Sequence, residues 1–110
     1  MTNKDLILAY FNCYEIGDWN RLQSLLDEDF QFSSPHDPML TKEDYFRKCW
    51  PFHKKATAYH IDTFLEDKNS IFVIYTCTTD DENNFENAEY FQIENAKIKK
   101  VKVFYGTLNS

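Results

Sequence analysis

The sequence predicts an α+β domain with helices gathered in its first half and strands in its second. Two observations carry that prediction. Apolar residues recur at helical spacing in three stretches before Pro51, and from Ala56 to Tyr105 the pattern changes to alternation broken by polar turns. A third observation bounds it: 110 residues, 17% of them aromatic and none in a repeat, low-complexity tract or linker, make one domain over residues 1–110 with a dense core.

Thr2 followed by Asp5 has the spacing of a capping box, so a first helix is expected through Leu6 to Ile16, stopped by Gly17. Asp18 then caps a second helix, whose Trp19, Leu22, Leu25 and Leu26 fall on one stripe and which should end near Asp27 or Glu28. Phe30 to Ser34 alternates as a short strand ended by Pro35 and Pro38. Thr41 with Asp44 repeats the capping pattern for a third helix carrying Tyr45, Phe46, Cys49 and Trp50, closed by Pro51 and followed by a polar loop over His53 to Lys55.

The long strand from Ala56 should place Tyr59, Ile61, Thr63 and Leu65 on one face and His60, Asp62 and Phe64 on the other. Turn residues Asp67 to Ser70 lead to Ile71–Thr79, with Ile71, Val73, Tyr75 and Cys77 on one face. Asp80 to Asn84 turns into Phe85–Ile93, and Glu94 to Ala96 turns into a last strand through Tyr105. Hairpin-linked strands imply a largely antiparallel sheet, and the preceding helices must cover one of its faces.

Composition removes several function classes. Two glycines leave no phosphate-binding loop or dinucleotide fingerprint, and a net charge of −6 opposes binding to nucleic acid. The lysines at 97, 99, 100 and 102 read as a solvated or edge-protecting strand face. Cys13, Cys49 and Cys77 are odd in number and far apart, which fits buried thiols in a reducing compartment rather than a disulfide framework or zinc site. The three histidines show no metal-ligand spacing, and no metal or cofactor is expected. With Asp5 early and no long apolar run, neither a secretory signal nor a membrane span is expected, and the default location is the cytoplasm.

The stretch Tyr10-Phe11-Asn12-Cys13-Tyr14-Glu15-Ile16-Gly17-Asp18-Trp19, then Leu25 to Phe30 and Ser34-Pro35, resembles the opening of nuclear transport factor 2-like (SnoaL-like) proteins. Phe91 to Ile98 resembles their late hairpin, so the likeness spans nearly the whole chain. It implies a cone-shaped, curved antiparallel sheet with three N-terminal helices on its concave face, a cystatin-like roll enclosing an apolar pocket. That superfamily includes polyketide cyclases, ketosteroid isomerase, epoxide hydrolases and non-catalytic transport factors, and one fold hosts many functions.

Ketosteroid isomerase uses a carboxylate base with an oxyanion hole of one tyrosine and one protonated acid. By position, the resemblance puts Tyr10 in the place of that tyrosine and Glu89 near that acid. The base belongs where this chain has Ser34, whose hydroxyl cannot abstract a carbon-bound proton unaided; His36 or Asp37 would replace it if their loop folds inward. Glu89 shares a strand face with Phe85, Asn87, Phe91 and Ile93, so it is either a desolvated acid or a structural partner of a tyrosine or a backbone donor.

The expected site therefore has Glu89, Tyr10 and His36 as catalytic groups and Tyr14, Phe32, Ser34, Trp50, Tyr75, Asn87 and Phe91 around a ligand. Trp50 either seals the pocket mouth or packs on the sheet. The expected function is binding of a small, largely apolar organic molecule, with or without cyclase, isomerase or hydratase chemistry. The rival is a scaffold module whose pocket is filled by its own aromatics. The outer sheet face, carrying Phe64, Phe72 and Ile74, wants a cover that a homodimer would supply.

Overall fold

The computed structural model describes residues 1–109, with side chains described through Gly106. Helix α1 (Asn3–Ile16) opens on the capping box: Thr2 Oγ1 accepts from the Asp5 N–H at 3.0 Å while the Thr2 N–H donates to the Asp5 carboxylate. It closes on Gly17 at φ +73°, a left-handed position where a side chain would be strained. Asp18 caps α2 (Trp19–Leu25) by accepting from the Arg21 N–H.

The second helix stops earlier than its apolar stripe suggests. Leu26 is already extended and pairs with Ile98, so β1 (Leu26–Ser33) begins four residues before the alternating run. The tertiary ladder overrides local propensity there. A two-residue strand, β2 (Leu40–Thr41), pairs with Gln31 and Phe32 and has no signature of its own in the sequence. Thr41 caps α3 (Lys42–Lys48), and the chain then tightens into a 3-10 turn (Trp50–Lys54). Pro51, lacking an N–H, cannot extend α3 but fits the start of the turn, which also takes up the expected loop at His53.

Four long strands follow: β3 (Ala56–Asp67), β4 (Ser70–Thr79), β5 (Asn84–Glu94) and β6 (Lys97–Asn109). The sheet order is β2-β1-β6-β5-β4-β3, antiparallel throughout except that β1 runs parallel to β6. The result is a mixed, curved, open sheet with the three helices on its inner face. Because β6 is an inner strand, its lysines guard no edge: Lys99 approaches Asp27 and Asp29, and Lys97 donates to the Ser24 carbonyl.

One expected face assignment changes. The pairing of β3 with β4 slips between Ile61 and Thr63, so Asp62 is an extra residue and the side-chain alternation inverts beyond it. Phe64 therefore faces Val73 and packs against the core, whereas Leu65 faces Phe72 and is 61% exposed. The core runs from Leu6, Ile7, Phe11 and Leu22 of the helices to Ile71, Val73, Phe91, Ile98 and Val101 of the sheet, all nearly or fully buried. Burying side chains of this size stabilises the fold by roughly 1.5–3 kcal/mol each before conformational entropy is set against it.

Candidate functional site

Cross-strand pairing arranges the inner sheet face in rows of rising polarity. Ile71, Phe91 and Val101 form the innermost row, and Val73, Glu89 and Val103 the next. Tyr75, Asn87 and Tyr105 form the third. Above the outer rows lies a cavity of about 460 Å³, within the range of small-molecule sites. Its walls come from α1 (Tyr10, Phe11, Tyr14), the segment after α3 (Cys49, Phe52) and the inner strand faces, including Tyr59, Tyr75, Phe85 and Glu89. Lys48, Tyr105 and Gly106 are the exposed wall residues and mark its mouth.

Glu89 is 5% exposed and sits between two valines. Its Oε1 accepts from the Tyr75 hydroxyl at 2.7 Å, and its Oε2 has no hydrogen-bond partner among the described residues. Burial pushes its carboxyl up to about 7 against an ordinary 4.5, with the Tyr75 and then the Tyr10 phenol pulling the other way. A buried polar atom left without a partner costs on the order of 1–3 kcal/mol, so nothing in the packing alone favours it.

Tyr10 and Tyr14, one turn apart on α1, both meet the hydroxyl of Tyr45 on α3, at 2.9 and 2.5 Å. Tyr45 is itself fully buried and held by Phe30 and Phe32, whose rings lie 5.0 Å from its own. Burial is the main cause holding all three phenols well above their ordinary pKa, so they are neutral hydrogen-bonding groups. Cys49, pushed up to about 12 by burial and then by the Asp37 charge, is a thiol rather than a nucleophilic thiolate.

The loop after β1 decides which polar group reaches the cavity. Ser34 Oγ accepts from the His36 and Asp37 N–H groups, each at 3.2 Å, and donates to Asp37 Oδ2 at 3.1 Å. That turn places Asp37 on the cavity wall and His36 outside it, exposed, with its ring 5.2 Å from that of Tyr105.

Of the expected residues, the structure gathers Glu89, Tyr10, Tyr14, Phe32, Tyr75 and Asn87 on the cavity wall, and leaves four off it. His36 points outward and Ser34 is spent on its turn. Trp50 packs behind Tyr14 with its ring stacked on His53, and Phe91 is fully buried against Tyr10 and Phe11 in the innermost row. Sequence reasoning missed Tyr45, which no local pattern marks as a polar hub. It also missed Val103 and Tyr105, although the alternation Val101, Val103, Tyr105 continues the inner face of β6. Among the described residues no cluster of His, Cys, Asp and Glu side chains could hold a metal ion.

Helices thus cover a curved sheet, and tyrosines surround one buried acid on its inner face. The family model described as a SnoaL-like domain matches residues 7–101, and the chain belongs to that family. Three of the solved structures that share the fold illustrate the likeness. An NTF2-like protein of unknown function from Cytophaga hutchinsonii is 17% identical, with TM-score 0.78, covering 96% of this chain and 91% of that one. A putative ketosteroid isomerase from Kribbella flavida is 18% identical, with TM-score 0.78 and coverage of 98% and 80%. An epoxide hydrolase of the LEH-like kind from M. tuberculosis is 10% identical, with TM-score 0.77 and coverage of 94% and 82%. At these identities the likeness is one of fold. No curated protein matches the sequence.

Proposed function

We propose that this chain, acting as one domain over residues 1–110, binds a small, largely apolar organic molecule in its cone cavity with Glu89 as the polar anchor. One observation carries the reading: Glu89, whose buried Oε2 has no partner among the described residues, lines a cavity otherwise walled mainly by aromatic rings. A neutral acid there donates a hydrogen bond, so the complementary ligand presents an acceptor oxygen, such as a carbonyl or ether, on an apolar skeleton. The cavity volume supports a ligand site over one filled by the protein's own aromatics.

Asp37 on the same wall favours turnover as a second step, with its carboxylate as base in place of the absent acid at Ser34 and Glu89 as hydrogen-bond donor. The isomerase and hydrolase named among the structural neighbours are in keeping with such proton transfer. On the outer sheet face, Phe72, Ile74, Leu65 and Phe104 form an apolar strip suited to a second copy of the chain, and a cytoplasmic homodimer completes the proposal.

Titration calorimetry with uncharged bicyclic ketones tests the binding reading. Wild-type protein is expected to bind such a ketone below pH 7 and to lose affinity as Glu89 ionises. A protein that binds the ketone no better than its parent hydrocarbon at any pH would overturn the anchor role of Glu89.

A further inference from the structure

The polar groups at the mouth of the cavity form a directed chain. The Gly106 N–H donates to Asn87 Oδ1 at 3.1 Å, which fixes which way the Asn87 amide faces. Asn87 Nδ2 then points at the Tyr75 hydroxyl at 3.4 Å, and that hydroxyl lies 2.7 Å from Glu89 Oε1. A phenol has one proton; with Asn87 donating to its oxygen, the proton is directed to Glu89 Oε1. When Glu89 is protonated, its own proton must then sit on Oε2, the oxygen without a partner among the described residues.

We propose that Asn87 is a positioning residue: by holding Tyr75 as a donor to Glu89 Oε1, it confines the acidic proton of Glu89 to Oε2 and so makes the site select ligands that accept a hydrogen bond. The ligand clause rests on the binding reading above; the positioning clause does not. The chain is built into the sheet. Asn87 pairs with both Tyr75 and Tyr105, next to an irregularity in the β5–β6 register between Phe85 and Asn87. A Cβ at Gly106 would lie 2.0 Å from the Glu86 carbonyl oxygen, so glycine alone lets the strand approach closely there.

The titratable groups facing Glu89 are Tyr10 and Tyr14 from α1, Cys49 after α3, Tyr59 from β3, and Tyr75 and Cys77 from β4. Burial raises every one of these phenols and thiols, so none ionises across neutral pH. Asp37 and Lys48 are the ionic side chains on the same wall. A titration seen at Glu89 near neutrality is therefore not borrowed from a neighbouring phenol or thiol.

The test follows the Glu89 carboxyl carbon by NMR in protein labelled with 13C-glutamate, assigned by its loss in Glu89→Gln, alongside binding of 1-indanone and of indane. Tyr75→Phe removes the donor to Oε1 and is expected to raise the Glu89 midpoint by about one pH unit, a tenfold fall in its ionisation constant. Asn87→Ala should move it the same way by less, and should add nothing in the Tyr75→Phe background. The pH above which 1-indanone loses its advantage over indane should move upward with the midpoint.

An unchanged midpoint in Asn87→Ala, or an equal effect of Asn87→Ala with and without the Tyr75 hydroxyl, overturns the positioning role. Should Asn87→Ala fail to fold, an unmoved midpoint in Tyr75→Phe alone overturns it. If the midpoints move as expected while 1-indanone binds no better than indane in any form, the positioning role stands and the ligand reading falls.

Discussion

Replacing Glu89 with glutamine separates the cost of a buried acid from everything else in this fold. In the folded chain the carboxyl titrates near 7, against 4.5 when exposed, because burial disfavours its charge. A pKa raised by folding contributes stability that is fully present below the unfolded value and is lost as pH rises through the folded one. At 1.36 kcal/mol per pH unit, the gap corresponds to a loss of about 3 kcal/mol, most of it between pH 5 and pH 8. Glu89 is 5% exposed, so solvent screening takes little from that figure.

Glutamine keeps the acceptor for Tyr75 and cannot ionise. Urea denaturation of both proteins at pH 5, 6, 7 and 8 should therefore show near-equal stability at pH 5 and the variant ahead by about 2–3 kcal/mol at pH 8. Comparing the two proteins cancels the other carboxylates: Asp5, Asp27 and Asp81 are held low by hydrogen bonds and matter only at more acid pH. Parallel stability profiles from pH 5 to pH 8 would refute the claim that Glu89 is held neutral by burial.

Three further outcomes follow from the geometry. Tyr45→Phe leaves the buried Tyr10 and Tyr14 hydroxyls without their shared partner and should destabilise the protein by about 2–4 kcal/mol in urea melts, against almost nothing if water satisfies both. Phe64→Ala should cost about 2 kcal/mol or more while Leu65→Ala stays within about 0.5 kcal/mol in the monomer, and the reverse order would refute the bulge at Asp62. Gly106→Ala drives a Cβ onto the Glu86 carbonyl and should break the end of the β5–β6 ladder, read as lost amide protection at Asn87 and Tyr105 in hydrogen exchange.

How far the sequence could be read follows from where each choice was made. The helix starts were local: Thr2, Asp18 and Thr41 each cap with their own side chains, and all three helices begin where those residues place them. The inner faces of β4 and β5 followed from period two, and with them the inward placement of Tyr75, Asn87 and Glu89. The inversion at Asp62 could not be seen, because a bulge is set by the partner strand and the alternation in β3 runs on unbroken through it. His36 and Asp37 were a similar case. They are consecutive in the chain, and the hydrogen bonds of Ser34 to both turn the acid inward and the imidazole out.

The position of Glu89 argues for use rather than accident. Its cross-strand neighbours, Val73 and Val103, show what the row accepts: a medium-sized apolar side chain. A valine or leucine at 89 would fill the same space without the pH-dependent cost of about 3 kcal/mol, while leaving the Tyr75 hydroxyl without its acceptor. The tyrosines nearby account for only one of its oxygens, since Tyr75 donates to Oε1 while Tyr10 and Tyr14 meet the Tyr45 hydroxyl and Oε2 is left without a partner among the described residues. What the acid adds is a hydrogen-bond donor below about pH 7 that becomes a carboxylate, which only accepts, above it. Glu89→Leu should therefore yield a protein more stable than wild type above pH 7 that has lost its preference for 1-indanone over indane. A variant that gained stability and kept that preference would move the anchor to the next polar group on the wall, Asp37.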